Sequence, residues 1–177
     1  MKKLIFIALL SIVFVSCNSG VSCDSSKVKE TALRLFETEI RVQLAWGVYY
    51  EEVISPIENT YGGALLQFYA YAAGDASFDI EKAKEKAILS FRKLAKGQTV
   101  EDAEKYHPYI RYADSIMDLG KTSLEIIMTT ANDHELKKCE CEATMVFDPE
   151  INIENMDVSY DVQKASDGEV YVTIYMR

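Results

Sequence analysis

Near residue 120 the spacing of apolar residues changes, and that change constrains the fold more than any other feature of the chain. Upstream, apolar residues recur every three or four positions, the period of a helix lying on a core. Downstream they alternate, the period of a half-buried strand. Cys139, Cys141, Ala143, Met145 and Phe147 share one parity, with Lys138, Glu140, Glu142 and Thr144 on the other. Met156, Val158, Tyr160 and Val162 repeat the pattern, then Val170, Val172, Ile174 and Met176. Leu124, Ile126 and Met128 open the series on a first strand. Residues 132–135, 148–150 and 166–168 have turn composition between these runs. Four sequential strands with short connections predict an antiparallel meander, one face covered by helices.

The upstream part predicts about four helices, so the fold class is α+β. Residues 27–54 form the first. Leu33, Phe36, Ile40, Leu44 and Val48 make one stripe, and Val28, Ala32, Leu35, Val42, Trp46, Tyr49 and Val53 an adjoining one. So wide an apolar arc predicts a helix wrapped on two sides. Ser55-Pro56 should end it, because the residue before proline avoids helical angles. Residues 64–73 predict a short apolar helix. A third runs from Ile80, capped by Asp79 and closed by Gly97. The fourth is opened by Thr99 with Asp102 at capping-box spacing, and Gly120 ends it. Pro108 inside it predicts a kink or break near residues 106–107.

The first residues suggest an address rather than a fold. Met1-Lys2-Lys3 is a short positive start, and residues 4–15 are apolar except for Ser11. That length suits an export signal and is short of the roughly 20 residues a bilayer span needs. Small Ser16 precedes Cys17, and Asn18, Ser19 and Gly20 have tether composition. The arrangement resembles a bacterial lipoprotein signal, with Phe14 and Val15 relaxing the usual pattern. The resemblance implies cleavage between Ser16 and Cys17 and acylation of the Cys17 sulfur. Acyl chains contribute about 0.8 kcal/mol per buried methylene, enough together for a stable anchor. Asn18 is compatible with transfer to the outer membrane, with the domain in the periplasm or at the cell surface. The expected organisation is a leader over 1–16, a lipidated tether over 17–26 and one α+β domain over 27–177. Within it, 27–120 is mainly helical and 121–177 forms the sheet.

A second resemblance lies in the last third. Cys139, Cys141, Ala143, Tyr160, Val162, Gln163, Lys164, Asp167, Gly168, Tyr171 and Val172 fall in a pattern similar to the C-terminal sheet of small uncharacterised bacterial lipoproteins. The helix from Val28 to Leu44 is similar too, whereas 56–119 is longer and more helical than that family's middle part. The resemblance implies an α+β fold in an exported protein and brings no catalytic residues.

Charge narrows the partners. The chain carries 28 acidic and 19 basic residues, net −9, and loss of Lys2 and Lys3 with the leader leaves 28 against 17. That excess repels phosphates and disfavours nucleic acid. The expected partners are the bilayer, through acylated Cys17, and a protein in the envelope.

The remaining chemistry is sparse. Acylation of Cys17 leaves Cys23, Cys139 and Cys141, an odd number. Cys139 and Cys141 point to the same strand face, which suits a bond between them poorly. They read as small buried side chains beside Ala143; half of a soft-metal site and a disulfide to Cys23 are the alternatives. His107 and His134 are the only histidines, and phosphate loops, HExxH and GxSxG are absent. Glu51-Glu52 and the Asp114/Asp118 pair read as solvated carboxylates in an acidic chain. No catalytic residue, metal ligand or cofactor is therefore expected. Trp46, Tyr49, Tyr50, Phe68, Tyr69 and Tyr71 form the candidate ligand or partner surface. The reading is a membrane-anchored envelope lipoprotein of non-catalytic binding type. A hydrolase with a pocket between helices and sheet, or a structural or protective component of an envelope complex, are the alternatives.

Overall fold

The computed structural model describes residues 22–59, 80–133 and 135–176. The expected leader, Cys17, the expected 64–73 helix with Phe68, Tyr69 and Tyr71, the expected Asp79 cap and His134 lie outside the described residues. The fold is α+β: an N-terminal helical part followed by a four-stranded antiparallel sheet in the order β1-β2-β3-β4. The described residues hold three helices rather than about four: α1 over Ser26–Tyr49, α2 over Ile80–Ala95 and α3 over Ala103–Met117. The strands are β1 (Thr122–Asp133), β2 (Lys138–Phe147), β3 (Met156–Lys164) and β4 (Val170–Met176).

Helix α1 divides its apolar arc along its length. Ser25 caps it, its hydroxyl accepting from the Val28 amide at 3.4 Å. Val28, Ala32, Phe36 and Ile40 then pack on the sheet with Met145, Val158, Tyr160 and Val162. Val42, Ala45 and Tyr49 face the other way, into a second cluster with Ala87 and Phe91 of α2 and Tyr106, Ile110 and Ala113 of α3. The helical part is thus layered: the sheet, α1, then α2 and α3, with α1 as the shared wall. Exposed ion pairs tie the outer helices to it, Arg41–Asp114 at 3.1 Å and Arg92–Glu39 at 3.1 Å.

Two helix boundaries differ from the sequence expectations, and one expected interior break is absent. Ser55-Pro56 does not end the first helix. The chain passes through a π-helical turn, Tyr50–Ile54, into a further α-helical turn, Ser55–Asn59. The Ser55 amide donates to the Tyr50 carbonyl five residues back, and this wider ring makes room for the proline that an i→i−4 ladder would reject. Helix α3 begins at Ala103, after Asp102 in a left-handed conformation, not at Thr99. It runs through Pro108 without a break, because a proline in the second turn costs one hydrogen bond while Tyr106, Ile110 and Ala113 hold the helix in the core. Gly97 does close α2, at φ 71°. Its amide reaches Leu94 and that of Gln98 reaches Lys93, the paired bonds of a Schellman end.

Strand β1 also departs from simple alternation. From Glu125 to Met128 it advances three residues while β2 advances two, and a second extra residue lies between Thr129 and Ala131. These are β-bulges, and a bulge exchanges the faces of the residues beyond it. Leu124 and Ile127 therefore face the core, and Ile126 and Met128 face outward. The other three inward rows are as the period-two pattern predicts.

The cysteines correct a further expectation. Cys23 is joined to Cys141 by a disulfide, S–S 2.07 Å, across 118 residues of sequence. Both cysteines are buried, and with Cys141 bonded to Cys23 the Cys139-Glu140-Cys141 stretch offers no thiolate pair to a metal. Burial of Cys23 also brings the folded body into the segment read as tether. Tyr160 adds a second fastening: its hydroxyl donates to the Cys23 carbonyl at 2.9 Å.

Two outcomes are expected. Cys23→Ser should lower unfolding free energy by about 2–4 kcal/mol in a denaturant titration, since the bond closes a long loop. Burial, and secondarily the Asp24 charge, push the Tyr160 hydroxyl up to about 12. Its folded value lies above that of an unfolded tyrosine, near 10. The stability it supplies is complete below about pH 10 and is lost as pH rises toward about 12. The gap in stability between wild type and Tyr160→Phe should therefore shrink between about pH 10 and pH 12.

Candidate functional site

The bulged strand and the exposed face of the sheet form the candidate site. Helix α1 packs against one face of the sheet; among the described residues no helix covers the other. Register sets the outward rows. Glu125 stands beside Thr144 and Asp157; Met128 beside Glu142, Ser159 and Tyr175; Glu140 beside Asp161 and Thr173. Five carboxylates thus share a face with the Lys138 ammonium. Lys138 lies 2.7 Å from Asp161 and 3.3 Å from Glu140, and these carboxylates push its pKa up, Asp161 contributing most. The Tyr175 hydroxyl donates to Asp161 at 2.9 Å, which raises its own pKa as well.

Against that acidic field stands an apolar projection. Ile126 is 71% exposed and Met128 53%. They line a cleft of about 160 Å³ with Glu142, Thr144 and Asp157. Thr144 donates to Asp157 at 3.3 Å, orienting one carboxylate at its edge. Ile126 has φ 51°, a left-handed conformation that a β-branched residue rarely adopts. A strained backbone that exposes an isoleucine on a sheet face is the kind of cost a protein retains at a contact site. The sequence signal for it is the doubled isoleucine, Ile126-Ile127, between Glu125 and Met128: three apolar residues in a row where alternation allows one.

The aromatic set read from sequence separates. The Tyr49 ring is buried, packed edge-on to Phe91 at 5.6 Å and Tyr109 at 5.2 Å, with the Lys105 ammonium 5.8 Å from its centroid. It belongs to the core, not the surface. The Trp46 and Tyr50 rings meet at 5.7 Å, tilted by 53°, and are partly exposed at the π-helical turn. Tyr50 donates to Glu58 at 2.7 Å, which raises the phenol; the Lys84 ammonium, 2.7 Å from Glu58, and secondarily the Tyr50 hydroxyl lower the carboxyl. Of the candidate acid–base carboxylates, Glu51 and Glu52 are exposed, Asp114 is paired with Arg41, and Asp118 follows the end of α3. His107 is exposed on α3. The space between α1 and the sheet, where a catalytic pocket was an alternative, is filled by Phe36, Met145 and Tyr160.

No family model, curated protein or solved structure matches the chain.

Ile126→Asn should raise unfolding free energy by about 1 kcal/mol, because asparagine tolerates the left-handed conformation. A gain in the denaturation midpoint would confirm the strain.

Proposed function

We propose that this protein is a lipoprotein of the bacterial envelope, anchored through acylated Cys17, whose folded body binds a protein partner without catalysis. The observation that carries the binding reading is Ile126, exposed and held at positive φ by a bulge on the acidic sheet face that no described helix covers. A partner suited to this face offers an apolar side chain for the Ile126–Met128 cleft and basic groups for Glu142, Asp157 and Asp161. Anchoring raises local concentration, so a modest intrinsic affinity suffices. Trp46 and Tyr50 supply a second contact, favoured by the π-helical turn, a distortion that recurs at functional sites. The anchor rests on the export leader, Ser16 and Cys17.

Affinity capture from envelope membranes with the intact protein should recover a specific partner. Ile126→Asp should abolish that recovery while the Ile126→Asn protein remains folded. Recovery that is unchanged by Ile126→Asp would reject the sheet face as the binding surface. Mass spectrometry of the mature amino terminus should show a thioether-linked, acylated Cys17, absent in Cys17→Ala. Finding Cys17 in a disulfide with Cys139 would reject the anchor.

A further inference from the structure

The two edges of the sheet are built differently. Edge strand β1 carries two bulges and a left-handed residue, devices that spoil an edge for pairing. Edge strand β4 carries none. It pairs with β3 in unbroken register over Val158–Met176, Tyr160–Ile174, Val162–Val172 and Lys164–Val170. Among the described residues it has a hydrogen-bonded neighbour on that side only. Its seven residues, Val-Tyr-Val-Thr-Ile-Tyr-Met, include no charge, proline or glycine. Such a strand is an open template for another.

Its inward row is also incompletely covered. The inward residues of β2 are buried, as are Val158, Tyr160 and Val162 of β3, whereas Val170, Val172, Ile174 and Met176 are only half-buried. The apolar layer thus thins toward this edge.

We infer that β4 pairs antiparallel with β4 of a second copy, about a two-fold axis at Thr173, to give a continuous eight-stranded sheet. The occupant follows from the strand's own pattern. A two-fold axis requires a strand to complement its reverse. About Thr173, Val172 falls opposite Ile174, Tyr171 opposite Tyr175, and Val170 opposite Met176. Every pair is β-branched, aromatic or apolar, the pairs that stabilise antiparallel strands. Pairing at this edge leaves Ile126 and the β1 side of the sheet accessible, so the inference does not rest on the partner site proposed above.

The test uses the full chain. Sedimentation velocity in detergent should give a dimer, with the wild type associated at concentrations up to about 100 µM. Residues facing each other across the axis lie about 4.5–5.5 Å apart at Cα, within disulfide range. Thr173→Cys should therefore form an interchain bond in membranes, seen as a dimer band on a non-reducing gel. Thr173→Lys sets like charges on the axis and should weaken dimerisation at least about tenfold. Circular dichroism should show its sheet unchanged, since Thr173 is exposed. A wild type monomeric throughout that range, or a dimer in which Thr173→Cys fails to cross-link, would overturn the inference.

Discussion

The structure depends on one shared surface, helix α1. Its amino-terminal half closes the sheet cluster through Val28, Ala32, Phe36 and Ile40, and its carboxy-terminal half closes the helical cluster through Val42, Ala45 and Tyr49. Neither cluster closes without it: a sheet of this size needs a covering layer on its apolar face, and two short helices lack enough apolar surface on their own. The Cys23–Cys141 disulfide and the Tyr160–Cys23 hydrogen bond fasten the start of this helix to the centre of the sheet. The orientation of α1 is thereby fixed at one end by covalent chemistry and at the other by aromatic packing around Tyr49.

With its inner face occupied, the sheet has its remaining freedom on the outer face and along its edges. The bulges in β1 act on both. They turn Ile126 outward into an acidic field, and they spoil that edge for pairing. Strand β4 lacks such devices, so the two ends of the meander have different characters. The bulges thus set apart an edge with an exposed isoleucine from one in unbroken register.

Much of the fold is legible in the sequence because the periods differ so plainly on either side of residue 120. Rows such as Cys139–Phe147 and Val158–Val162 read directly, since one face of each strand is buried and the alternation is unbroken. Errors fall where a local rule meets a tertiary compensation. Pro56 reads as a helix stop, but the π-helical turn absorbs it. Pro108 reads as a kink or break, and packing of Tyr106, Ile110 and Ala113 carries the helix through it unbroken. Tyr49 reads as part of a recognition surface because composition cannot distinguish a rim tyrosine from a core one. The cleft at Ile126 is invisible to strict alternation, which runs through Ile126-Ile127 without allowing an inserted residue.

What the sequence determined by itself is the class of fold, the order of the elements and the acidic surface, because these come from local periodicity and charge. Tertiary structure decided which cysteine Cys23 meets, which way Ile126 points and how α1 shares its arc between two cores. Those outcomes turn on contacts between residues far apart in the chain, Cys23 with Cys141 across 118 positions among them. A distant contact of that kind leaves no periodic trace in the segments that make it.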